Sequence, residues 1–167
     1  MRTDGAARQR AYGHAMTSKK TDNEGPVIVV GYDGSATSRT AVDHAARQAG
    51  PRGTVYLVHS YGLPPEWLGY PYYQHVLDEH RTRGEVLLGA LPATDDPLLE
   101  THFESELLGG PPADAITSVA EARDADAIVI GSRGLSRMYS ALGSVSHDVL
   151  HRATVPVVVM PHVAGQK

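Results

Sequence analysis

The chain contains no cysteine, which excludes disulfides, thiolate nucleophiles and cysteine-held metals. It has no apolar run of roughly 18 residues, so no segment is predicted to cross a membrane as a helix. Positive charge is not in excess. Fifteen Lys and Arg stand against nineteen Asp and Glu, a formal net charge of −4. A general nucleic-acid binder would show a basic stripe or a high pI, and this chain shows neither. Any phosphate it binds must be held by local geometry. The start of the chain lacks the apolar core of a signal peptide, so the expected location is cytoplasmic.

What is present is one domain's length of chain, 167 residues, with 41% hydrophobic residues. That is enough to build a core without a metal or disulfide staple. Residues 1–24 differ from the rest: they carry a net +2 and no apolar periodicity. They are expected to be a disordered tail ahead of a domain at 25–163, or an over-extended start with Met16 as the initiator.

The elements alternate. Val27–Val30 is a β-branched run without polar alternation, the pattern of a strand buried on both faces. Ala41, Val42, Ala45, Ala46 and Ala49 then recur at helical spacing up to Gly50-Pro51. Thr54–His59 reads as a second strand, and 61–73 as a Pro-, Gly- and aromatic-rich loop. A helix is predicted to about Leu91, weakened by Gly84 by roughly 1 kcal/mol relative to Ala. His102–Leu108 reads as a more exposed strand, Pro111-Pro112 opens a helix, and Ala127–Ile130 is a further buried strand. A short helix around Val145–Leu150 and a strand at Val155–Met160 follow. Such alternation predicts an α/β fold: an open five-stranded parallel sheet with helices on both faces. Ligands in such sheets bind beyond the carboxyl ends of the strands, where the strand order reverses.

Two segments leave strand ends with suitable chemistry, 31–35 and 131–146. Gly131-Ser132-Arg133-Gly134 is followed by Gly143-Ser144-Val145-Ser146 at a helix start. Glycines let main-chain amides approach a ligand without a Cβ clash. A helix N-terminus adds unpaired N–H groups and partial positive charge. Ser144 and Ser146 add hydroxyls. The plainer reading is an ordinary strand-to-helix loop with Ser144 as its N-cap. Neither a Walker loop nor a dinucleotide fingerprint occurs. Asp33, at the end of a buried strand, could accept bonds from two ribose hydroxyls, or it could cap the next helix.

Several stretches resemble the universal stress protein family over residues 27–160. They are Val-Gly-Tyr-Asp-Gly-Ser at 30–35, Leu-Val-His at 57–59, and Gly-Gly-Pro-Pro-Ala-Asp-Ala-Ile at 109–116. Ala-Asp-Ala-Ile-Val-Ile-Gly-Ser-Arg-Gly at 125–134, Leu-Gly-Ser-Val-Ser at 142–146 and Val-Pro-Val-Val-Val at 155–159 complete the match. The resemblance implies a Rossmann-like fold of the adenine-nucleotide alpha-hydrolase type, ATP with Mg²⁺ as ligand, and a stress-response regulator or sensor. It implies phosphate contacts at Gly131, Gly134, Gly143, Ser144, Val145 and Ser146. It places Asp33, with Gly31 and Tyr32, near ribose and adenine, and Ser60 and Ile130 beside the base. It implies a homodimer through Val155–Met160, in which Pro156, lacking an N–H, would centre the ladder on Val157–Met160.

Two departures stand out. The family's loop has nine residues between its second and third glycines, and this chain has eight between Gly134 and Gly143. Gly31 stands where the family often has Pro or an aliphatic residue, which is expected to loosen that wall of the adenine site. A side chain at Gly143 is expected to block phosphate, and to strain the turn if φ is positive there.

The alternative function is a nucleotide-free protein acting through dimer and partner contacts. An enzyme is disfavoured beyond slow ATP hydrolysis. No Gly-x-Ser-x-Gly elbow, kinase set, His-x-Gly-His or Ser-Gly-Gly-x-Asp-Ser segment exists. His147 and His151 lie i, i+4 on the last helix, but the sequence supplies no third metal ligand. The aromatic stretch Tyr61, Trp67, Tyr70, Tyr72 and Tyr73 is expected to cover the nucleotide, face a partner, or anchor a long loop to the domain edge.

Overall fold

A computed structural model describes residues 25–90, 101–132 and 142–161. The elements run β1 (Val27–Gly31), α1 (Ala36–Ala49), β2 (Thr54–Tyr61), a 3₁₀ turn (Glu66–Leu68), α2 (Tyr72–Gly89) and β3 (His102–Gly109). They continue with α3 (Pro112–Ala122), β4 (Ala127–Gly131), α4 (Ser144–Arg152) and β5 (Val157–Met160). The strands form one sheet in the order β3-β2-β1-β4-β5, and every neighbouring pair is parallel.

The apolar runs follow from burial on both sides. Successive side chains of a strand point to opposite faces. Val29, Ile128 and Ile130 pack on one face with Ile116 and Val119 of α3 and Val149 of α4. Ile28, Val30, Ala127 and Val129 pack on the other with Ala41, Val42 and Ala45 of α1. Both sides of β1 and β4 are therefore core, and a polar alternation would have buried unpaired groups.

The boundaries differ from the sequence reading for identifiable reasons. β2 runs two residues further, to Tyr61, because the polar His59 and Ser60 stay in register with Leu107 and Leu108 of β3. β5 starts at Val157 rather than Val155. The Pro156 carbonyl accepts from the Ile128 N–H at 2.9 Å, but proline has no N–H to return to β4. α4 is longer at both ends than the expected 145–150. Position 91, the expected end of α2, lies outside the described residues, as do 1–24.

Gly84 is the buried residue of α2. A Cβ there would lie 2.6 Å from Leu107 Cδ1 and 3.1 Å from His59 Cδ2. The helix tolerates its weakest residue because that residue lets it lie against the sheet.

Candidate functional site

Strand order reverses between β1 and β4. The chain leaves these two strands in opposite directions across the sheet, which opens a crevice at their carboxyl ends. A cleft of about 380 Å³ occupies that place, within the usual range of small-molecule sites.

One wall is the end of β1. Gly31, Tyr32 and Asp33 line it. The Tyr32 N–H donates to the Val58 carbonyl at 2.9 Å, and its ring packs with the α1-side core. The Tyr32 carbonyl accepts from His59 Nδ1 at 2.8 Å. A carbonyl only accepts, so this bond places the imidazole proton on Nδ1. Asp33 is half-buried. Its Oδ1 accepts the Ser35 N–H at 3.0 Å, while Ser35 Oγ caps α1 by accepting the Ser38 N–H at 3.1 Å. Ser35, not Asp33, is thus the cap of α1. Asp33 orders the turn with one carboxylate oxygen. Gly34 has φ +79° and faces Leu87, with an added Cβ reaching 2.7 Å from Leu87 Cδ1. Only glycine turns the chain there without strain.

The floor and the side wall come from β4 and α3. A Cβ on Gly31 would meet Ile116 Cδ1 at 2.7 Å and Ile130 Cγ2 at 3.3 Å. Gly31 therefore does not loosen the wall as expected: Ile116 of α3 fills the space a side chain would occupy. Ser60 also lines the cleft, and its hydroxyl donates to the Gly110 carbonyl, tying β2 to the segment that leads into α3.

The opposite wall is the start of α4. The Gly143 N–H donates to the Ser132 carbonyl at 2.7 Å, and the Ser132 N–H to the Met160 carbonyl at 2.7 Å. Gly143 is thus tied to Ser132, just past the end of β4. Gly134 lies outside the described residues, as does Arg133. The N-cap is Gly143, with φ −73° and ψ 160° and no side-chain cap bond. Ser144 is therefore not the N-cap that the plainer reading made it, and Gly143 is not at positive φ. The first helical bond runs from the His147 N–H to the Gly143 carbonyl at 3.0 Å. The amides of Ser144, Val145 and Ser146 therefore stand ahead of the ladder, and all three residues line the cleft. Among the described residues no Lys or Arg lines it, so this helix start is what the cleft offers an anion.

The Ser146 hydroxyl is not free for a ligand. It donates to the Gly131 carbonyl at 2.6 Å and is 4% exposed, joining α4 to the end of β4. Ser146→Ala is expected to cost about 1 kcal/mol of stability, the net worth of one neutral hydrogen bond. Urea unfolding checks this, and an unchanged midpoint would show the tie to be idle.

Gly31, Tyr32, Asp33, Ser60, Ile130, Gly131, Gly143, Ser144, Val145 and Ser146 thus meet around one cleft. Sequence reasoning missed Ser38, Val58, His59, Pro112 and Ile116, which also line it. The crossover topology was a usable signal for Pro112 and Ile116, since α3 starts at the carboxyl edge of the same sheet. Trp67, Tyr70 and Tyr72 do not line the cleft. They are 83%, 84% and 69% exposed, so none of them anchors this stretch to the domain, and Tyr72 already belongs to α2.

Outside the cleft, burial pushes the Tyr56 phenol up, with Arg123 opposing from 4.7 Å over the ring. The Arg123 guanidinium is itself held up, first by its bond to Glu106. Stability gained by keeping the phenol neutral is present below its ordinary range and is lost as pH rises through the raised value.

A family model described as the universal stress protein family matches residues 26–161. The chain belongs to the universal stress protein family. A universal stress protein of Thermus aquaticus is 35% identical over 136 residues, 80% of this chain and 96% of the relative. In fold, the chain resembles the universal stress protein UspA from Lactobacillus plantarum with a TM-score of 0.62 at 20% identity, over 82% of this chain and 98% of that one. The universal stress protein from Archaeoglobus fulgidus in complex with dAMP aligns with a TM-score of 0.51 at 27% identity, over 83% of this chain and 98% of that one. Another universal stress protein, in complex with cAMP, aligns with a TM-score of 0.53 at 27% identity over the same shares, 83% and 98%. The three solved proteins share the fold of this chain.

Proposed function

We propose that this universal stress protein binds an adenine nucleotide, ATP with Mg²⁺, in the cleft between β1 and β4, and acts as a homodimeric stress-response regulator or sensor. One observation carries the reading. A carboxylate, Asp33, and an uncapped helix start, Gly143–Ser146, flank the same cleft at the strand-order reversal. The first suits vicinal hydroxyls and the second suits phosphate. Gly131 and Ile130 lie between them, and the apolar Ile116 and Val58 suit the face of a base. Gly134 would add a further amide. That two relatives are solved with dAMP and cAMP supports the adenine class. Mg²⁺, when bound with the triphosphate, would neutralise phosphate charge that the cleft's own side chains leave uncompensated.

Mass spectrometry of nucleotide released on denaturing the purified protein tests the ligand class. An adenine nucleotide in stoichiometric amount is expected. Release of a different nucleotide in that amount would contradict the adenine reading.

The homodimer would form through β5. Among the described residues no strand pairs with its outer side. The carbonyls of Pro156 and Met160 face β4, so by alternation the main-chain groups of Val157 and Val159 face outward. Pro161 adds no donor beyond them. An antiparallel mate would therefore pair chiefly with Val157 and Val159. Val159→Pro removes an outward donor and spares the β4 ladder, as an edge proline does. Sedimentation is expected to show a shift to monomer with circular dichroism unchanged. An unchanged dimer would place the interface elsewhere.

A further inference from the structure

α4 carries a second cluster that the cleft does not use. His147 and His151 lie one turn apart on its exposed face, where i and i+4 side chains are neighbours. Their Nε2 atoms approach to 3.2 Å, with ring centroids 4.4 Å apart and planes at 57°. At that distance the two nitrogens share either a proton, as an N–H···N bond between the rings, or a cation. Two nitrogens bound to one tetrahedral zinc at about 2.0–2.1 Å are themselves about 3.3 Å apart. The pair is thus already spaced as two ligands of one ion.

A second feature agrees. His147 Nδ1 lies 3.5 Å from Asp148 Oδ1. That carboxylate sets a negative charge beside the ring, which favours a cation bound at the pair. Arg152, the nearest cation along the helix, is engaged by Asp114 of α3 and does not compete for this carboxylate.

We propose that His147 and His151 form a binding site for a late first-row divalent cation, Zn²⁺, Ni²⁺ or Cu²⁺, outside the nucleotide cleft. Imidazole suits these ions, and copper should bind tightest. Among the described residues no group of three or more His, Asp or Glu converges on one point. Water completes the coordination, so the site is open, exchangeable and of moderate affinity. The exposed rings leave the ion a direct path from solvent. A bound ion links adjacent turns of α4 and stabilises the fold by mass action.

The test uses the full chain without an affinity tag, titrated with Ni²⁺ and separately Zn²⁺ in a non-coordinating buffer. One ion per chain is expected in the micromolar range, with a rise in melting temperature. His147→Ala and His151→Ala are each expected to weaken binding about tenfold or more, since either removes the chelate. His75→Ala and His80→Ala, made as controls, are expected to leave it unchanged. The substituted rings are exposed, and circular dichroism without metal checks the fold. Absence of binding to the wild-type chain, or affinity unchanged in either single variant, would overturn the site and leave a proton shared between the rings.

Discussion

Asp33→Asn is expected to weaken ATP binding by roughly ten- to a hundredfold. The carboxylate would accept charge-assisted bonds from ribose hydroxyls, each worth about 1.5–3 kcal/mol, and every 1.4 kcal/mol or so is a factor of ten in affinity. Asparagine is the informative substitution because Asp33 has two tasks. Its Oδ1 accepts the Ser35 N–H, and an amide oxygen can do the same. Ser35 keeps its cap on Ser38. The turn should therefore hold while the second acceptor becomes a donor facing donors. Isothermal titration of both proteins with ATP checks this. Equal affinities would confine Asp33 to ordering its turn.

Gly143→Val is expected to remove detectable ATP binding, a loss of more than about a hundredfold if two amide contacts to phosphate are blocked. The observed backbone makes the test cleaner than sequence suggested. At φ −73° and ψ 160° a β-branched residue fits without backbone strain. The exchange of glycine for valine at an N-cap should cost about 1 kcal/mol or less. Binding and folding are therefore separable, with circular dichroism and the melting temperature as controls. Ser144→Ala is the companion. Because Ser144 makes no cap bond, stability should not change, and binding should fall only by the worth of its hydroxyl. Wild-type binding by Gly143→Val would reduce the loop to a connection.

The sheet was legible because burial on both faces leaves a signature that needs no partner to read. Val27–Val30 and Ala127–Ile130 have no polar residue to place, and the structure buries them between α1 on one side and α3 and α4 on the other. The ends were less legible, because they depend on neighbours. His59 and Ser60 look like a strand stop, yet one donates to the Tyr32 carbonyl and the other to that of Gly110. In Gly84 the sequence shows only a weak helix residue. Its reason is the closeness of Leu107 and His59.

The cleft residues were legible from β1, β4 and α4 because glycine and serine at strand ends mark places where main chain must be approached. Their division of labour was not. Ser144 and Ser146 read alike, but one is exposed and the other is spent on the Gly131 carbonyl. Gly31 read as a gap and is filled by Ile116, a residue from another face of the fold. Such contacts arise from the packing of α3 over β1, which no local pattern encodes.

Titration calorimetry of the wild-type chain with ATP and Mg²⁺ tests the central claim most directly. One site per chain is expected, with heat on mixing and a matching gain in thermal stability, about 2.7 kcal/mol with ligand at one hundred times the dissociation constant. No heat and no shift in melting temperature at millimolar ATP would contradict it, and would leave a universal stress protein that works through its protein contacts alone.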